Sequence, residues 1–155
     1  MKRRLILLSS IIVTSVFAQT KVAYPEGYRD WNHVKSMLIE KGHDLANPFE
    51  GIHHVYANDQ AKEGLRTGRY VDGSTLVFDL LHYQQKEHAI VEKERKLVGV
   101  MVKDAKKFSK TGGWGFEGFG GDSREKRLTS DGGVSCFSCH IPQEKSDYVY
   151  STYRP

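Results

Sequence analysis

Ser74-Thr75-Leu76-Val77-Phe78-Asp79-Leu80-Leu81-His82-Tyr83 is the stretch on which the fold turns. It is rich in apolar and aromatic residues and follows the turn pair Asp72-Gly73, which makes it the strongest strand candidate in the chain. A period of two places Leu76, Phe78 and Leu80 on one face and Val77, Asp79 and Leu81 on the other. At least one of these faces has to meet a core.

Upstream, Ala46-Asn-Pro-Phe-Glu-Gly51 reads as a turn into a second strand, Ile52 to Ala57. A polar helical turn from Asp59 to Thr67 follows it and ends at Gly68. Nearer the start, Trp31, Val34 and Leu38 recur at helical spacing, so Tyr28 to Ile39 is predicted as a short amphipathic helix. Downstream, the charged run Lys86 to Lys96 reads as a solvated loop or helix, followed by strands from Leu97 to Val102 and from Trp114 to Phe119. Several short strands without a repeating alternation of strand and long helix predict a mainly β (α+β) fold, an antiparallel sheet with short helices packed on it. No internal repeat or low-complexity tract is visible.

The first 18 residues have a basic start at Lys2, Arg3 and Arg4, an apolar middle, and small residues at Val16 and Ala18. That is the layout of a cleavable secretory signal peptide. Its apolar part, Leu5 to Phe17, is about 13 residues, short of the roughly 20 that a bilayer-spanning helix needs. Residues 19–155 are therefore expected to form one soluble, periplasmic domain, with no membrane insertion after cleavage. A chain of this size can bury about two thirds of its unfolded surface, so a core forms without disulfides. Loss of the three basic residues lowers the formal net charge from +4 to about +1, which removes the reason to expect a nucleic-acid partner.

The only two cysteines lie in Ser135-Cys136-Phe-Ser-Cys139-His140. Cys-x-x-Cys-His is the attachment signature of a c-type haem. Two thiols three positions apart can each add to a haem vinyl group, and the adjacent His140 is then held against the iron as its axial ligand. A disulfide or a thioredoxin-like redox pair also uses two cysteines in an oxidising compartment, but neither needs His140. A structural zinc would lack a second ligand pair at normal spacing. His53 and His54 do not supply one, since neighbours on a strand point to opposite faces. Gly113-x-Gly115-x-x-Gly118 formally matches a dinucleotide fingerprint, yet the alternating aromatics and glycines around it suit neither the strand before nor the helix after that the fingerprint requires.

Iron has two axial positions, so function depends on what stands opposite His140. A methionine or second histidine makes an electron-transfer haem, and an open position makes a site for small ligands. Met37, Met101 and the remaining histidines are the candidates for a sixth ligand, and both methionines sit in apolar patterns where core packing is the commoner role. Arg124, Arg127 and Arg154 are candidates for pairing with haem propionates, and Glu117 is a candidate pocket acid or an exposed residue of the opposite strand face.

Taken together, the motifs resemble the cytochrome P-460 family and, within it, the cytochromes c'-beta. The likeness runs from Tyr28 to Arg154. It rests on Tyr28-Arg-Asp-Trp31, Pro48-Phe49 with Ile52 and Val55-Tyr56, and Asp72-Gly-Ser74 leading to Val77. It continues through Val102-Lys-Asp104 with Phe108, Gly113-Trp-Gly-Phe116, the haem motif and Asp147-Tyr-Val-Tyr150. Only the haem motif is specific alone; the order and spacing carry the rest. The resemblance implies a mostly antiparallel β fold, a homodimer, and one haem c per chain bound by a single histidine with its far side open.

In the cytochromes P-460 a lysine in the strand after the Asp-Gly turn bonds covalently to the haem edge, and these enzymes oxidise hydroxylamine. The matching position here is Phe78, which has no nucleophilic nitrogen, and neither Lys62 nor Lys86 fits the same place on the strand. In the cytochromes c'-beta two phenylalanines cap the haem, and Phe49 and Phe78 resemble that pair. The implied function is the binding of nitric oxide or carbon monoxide in an apolar distal pocket. Hydroxylamine or nitric oxide oxidation is the second expectation, and electron transfer the third.

Overall fold

The computed structural model describes residues 21–155. The predicted signal peptide, residues 1–18, lies outside the described residues. Five strands form one antiparallel sheet in the order β1-β2-β3-β4-β5, so each strand pairs with its sequence neighbours. They are β1 (Asn32–Ile39), β2 (Gly51–Ala57), β3 (Thr75–Lys86), β4 (Ala89–Lys103) and β5 (Trp114–Gly120). Short helices join or flank them: α1 (Ala46–Phe49), α2 (Asp59–Thr67) and α3 (Val134–His140). The mainly β (α+β) expectation and the four predicted strands from Ile52, Ser74, Leu97 and Trp114 hold. Among the described residues no helix is long and apolar enough to cross a membrane.

The period-two division of β3 organises the molecule. Leu76 and Leu80 are buried on the front face, and Val77, Asp79 and Leu81 on the back, so both faces carry a core. In front, Val55, Ala57, Leu76, Met101, Trp114 and Phe116 pack with Ala61 of α2, Val149, and the partly buried Phe78, Cys136 and Phe137. Behind, Tyr56, Val77, Val98, Val100 and Phe119 pack against the N-terminal Val22 and Tyr28. Asp79, fully buried among these apolar groups, is compensated by Arg95, whose Nε donates to it at 2.6 Å, and by Arg29 at 3.3 Å. Unpaired, it would be strongly disfavoured there.

Helix α2 spans the predicted Asp59–Thr67 and ends at Gly68 as expected. The Asn58 side chain accepts from Ala61 N–H at the N-cap, and Gly68 closes the helix in the left-handed region.

Two elements differ from expectation. The segment predicted as a helix over Tyr28–Ile39 is a single 3-10 turn, Tyr28–Asp30, followed by β1. Its register on β2 shifts between His33 and Lys35, so Val34 is an extra residue against one position of the partner. That bulge breaks the alternation and produces an apolar spacing of three and four that imitates a helix. The charged run Lys86–Lys96 is neither loop nor helix. It is the distal arm of a long β3–β4 hairpin whose two-residue turn, Glu87-His88, has positive φ at both positions. Such turns are matched to strand twist and usually carry Asn or Gly, neither of which marks this one.

Candidate haem site

The front face is shaped by its cross-strand rows. Phe116 pairs with Met101, and Met101 with Leu76. In the next row Gly118 pairs with Gly99, Gly99 with Phe78, and Phe78 with Val55. The row beyond holds Gly120, Leu97, Leu80, His53 and Met37. Gly99 and Gly118 therefore leave a strip of sheet without side chains beside Phe78. A Cβ on Gly99 would stand 3.4 Å from the Cβ of Phe78, and one on Gly118 3.2 Å from Leu128.

Helix α3 carries the Cys-x-x-Cys-His motif onto this face. It starts at Gly133, whose φ of 87° and close approach to β5 admit no side chain: a Cβ would lie 2.7 Å from the Phe116 carbonyl oxygen. Asp131 fixes the entry, accepting from the backbone N–H of Gly133 at 2.9 Å and of Ser135 at 2.8 Å. These bonds hold its carboxyl below the usual range. Cys136 and Cys139 lie three apart on one short helix, both as free thiols, and burial pushes the Cys136 thiol up. Two unpaired thiols within a turn of each other, with a histidine beside them, match the donor set of haem c.

His140 completes that match. Its ring packs on Phe116, with centroids 4.9 Å apart, and on Tyr150 at 5.3 Å. Its Nδ1 lies 2.7 Å from the carbonyl oxygen of Tyr148. A carbonyl only accepts, so Nδ1 carries the hydrogen and Nε2 keeps the lone pair that a metal needs. Burial lowers the pKa of His140, favouring the same neutral form.

The acceptor of that bond is itself held. Asp147 and Tyr148 both have positive φ, 51° and 65°. The Asp147 carboxylate accepts from Lys103 Nζ at 2.6 and 2.7 Å and from the Trp114 indole at 3.3 Å. Lys103 also donates to the Gly112 carbonyl at 3.2 Å. This anchorage was not foreseen from the sequence, because its decisive atom is a backbone oxygen and no residue type advertises it.

Phe49 and Phe78, the pair the resemblance singles out, lie side by side with ring centroids 5.8 Å apart in an edge-to-face arrangement. The loop that presents Phe49 is tied to the sheet by Lys96, which donates to the Glu50 carbonyl at 2.6 Å and the Pro48 carbonyl at 3.3 Å. His53, on the same face, stacks against Phe78 at 4.4 Å.

Both methionines belong to the front-face rows, whereas Glu117, Arg124 and Arg127 lie away from them. Met101 is buried in the front core, and Met37 is part-exposed on the edge strand. Glu117 is buried on the back face, where it accepts from Arg127 at 2.7 Å, from Thr129 and from Gly118 N–H. Burial would raise its pKa, but the bonds from Thr129 and Arg127 outweigh that and lower it. Arg127 is thus engaged by an acid and by the Val22 carbonyl, and Arg124 pairs with Glu26 at 3.0 Å.

A five-stranded antiparallel sheet bearing a Cys-x-x-Cys-His helix, with His140 bonded through Nδ1, defines a β-sheet protein whose donor set fits a haem. The family model described as Cytochrome P460 matches residues 25–151, and the chain belongs to that family. Membership implies a haem c protein. A comparison with curated proteins finds no match.

Proposed function

We propose that this chain is a periplasmic mono-haem cytochrome of the c'-beta type. In this reading Cys136 and Cys139 hold one covalent haem, and His140 Nε2 is the single protein ligand to iron. Nitric oxide or carbon monoxide is taken up on the side of Phe49 and Phe78, and the role is capture, transport or removal of nitric oxide by a homodimer.

The observation that carries this reading is Phe78 at the position where the cytochromes P-460 have their crosslinking lysine, with Phe49 edge-on against it at 5.8 Å. A phenyl ring forms no covalent bond to the haem edge. Two rings also exclude water and disfavour charged or strongly hydrated ligands, while uncharged diatomics need no hydrogen-bond donor to enter. When bound, haem supplies a redox-active iron able to take such ligands; the chain's part is to tether, orient and cover it. His140, fixed by Tyr148, sets one side, and Lys96 sets the other by holding the Phe49 loop.

Electronic spectra of the reduced protein with and without carbon monoxide and nitric oxide test this directly. A high-spin resting spectrum that shifts on addition of either gas is expected. A low-spin resting spectrum indifferent to carbon monoxide would instead indicate an electron carrier with Met37, Met101 or a second histidine as sixth ligand.

Family membership supports a second reading, hydroxylamine or nitric oxide oxidation. Steady turnover of hydroxylamine with an artificial electron acceptor would favour it; intact mass equal to one ordinary haem adduct, without turnover, would favour gas binding.

A further inference from the structure

Next to the two phenylalanines stands a polar group without a polar partner. His53 is 3% exposed, and no hydrogen bond reaches its buried Nδ1. Its cross-strand neighbours on the front face are Met37 and Leu80, and its ring is stacked on Phe78 at 4.4 Å with a tilt of 33°. None of these offers a nitrogen or oxygen. Its sequence neighbour His54 points to the back face, where it bonds Ser36 and Glu92, so the two histidines are not interchangeable.

Buried polar atoms are nearly always satisfied, and the exceptions cluster where something else supplies the partner. A neutral imidazole carries one donor and one acceptor. Burial, reinforced by the positive charges of Lys35 and His54, holds the pKa of His53 down to about 4, so the ring is neutral near pH 7. A neutral ring can donate to a bound ligand without bringing a charge into an apolar pocket. The ring stacked on Phe78 is therefore chemically different from the two phenyl rings.

We propose that His53 is a hydrogen-bonding residue of the ligand pocket, donating to an uncharged diatomic that presents a lone pair. This rests on the reading of an open iron position beside Phe78 and deepens it. The apolar pair excludes hydrated ions, and the imidazole selects among the small neutral ligands that remain. Ligands whose outer atom gains negative character on binding benefit most.

The test uses the haem-loaded protein and its ferrous carbon monoxide adduct, read by the infrared C–O stretch. In His53→Leu the stretch should rise relative to the wild type, and in His53→Gln, which keeps an N–H donor, it should return toward the wild-type value. Nitric oxide should leave the Leu variant roughly fivefold faster, the factor that one ordinary hydrogen bond represents. The wild type alone provides a second measurement, since a bond from an imidazole N–H makes the stretch sensitive to transfer into D2O. An unmoved stretch in His53→Leu, or a wild-type adduct indifferent to D2O, overturns the role of His53 while leaving gas binding intact. A wild-type protein that takes up no carbon monoxide overturns the open-position reading itself, and this inference with it.

Discussion

The proposed haem reading gives Cys136 and Cys139 one task and His140 another, and substitution tests the first. Removing both thiols, Cys136→Ala with Cys139→Ala, should abolish covalent haem; a haem-stained band surviving in a denaturing gel would contradict the tethering role. His53 contributes a pH dependence that does not require haem. The unfolded imidazole takes a proton near 6.5, whereas the folded one resists until about 4. Between those values the unfolded state binds more protons, so stability falls as pH drops from 6.5 toward 4 and is unaffected above that range. The full effect is on the order of 3 kcal/mol. His53→Phe should flatten this part of the stability profile, measured by urea titration of the apoprotein at pH 7 and pH 4.5. An equally steep decline in the variant would assign the acid sensitivity to other groups.

The turn Asp147-Tyr148 is the element that aims His140, and the ion pair beneath it can be removed without touching either cysteine. Lys103 is largely buried where it meets Asp147. Lys103→Met should cost about 2 kcal/mol, as expected for a hydrogen-bonded charge left without its partner. It should also lower the iron–histidine stretching frequency in the ferrous protein, because a mobile Tyr148 carbonyl accepts less firmly from Nδ1. A lost 2 kcal/mol with an unchanged stretch would reduce Lys103 to a structural role. At this scale the sequence is legible only in part. Strands β2, β3, β5 and the inner part of β4 are readable because their apolar and aromatic residues pack on a sheet with one or two buried faces, and α2 because Gly68 marks its end. Strand β1 is hidden by the bulge at Val34, and the outer hairpin by a turn whose positive-φ residues are Glu87 and His88. The haem motif is legible because thiol and imidazole chemistry demands those side chains. The Tyr148 carbonyl is not, since every residue has one.

Across the whole molecule the sheet separates two jobs, and the alternation within β3 is what divides them. Phe78 and its row face the haem motif, while Asp79, one residue on, faces a core that touches none of it. Back-face substitutions should therefore change stability and leave the site's spectrum alone. Asp79→Asn is the sharpest case, because it keeps volume and shape while removing the charge that compensates Arg95 and, more weakly, the half-exposed Arg29. The second partner of Arg95, Asp122, is exposed and cannot substitute for a carboxylate buried within the sheet. Breaking a pair of this kind costs about 3 kcal/mol. For a domain of this size that corresponds to a fall in Tm on the order of 10 °C. The carbonyl stretch of the carbon monoxide adduct should stay at its wild-type frequency, since the pocket rows carry the other face of the strands. Calorimetry and infrared spectra of the same sample decide the matter: a shifted stretch with an unchanged Tm would mean that the two faces are coupled and that the sheet transmits rather than separates.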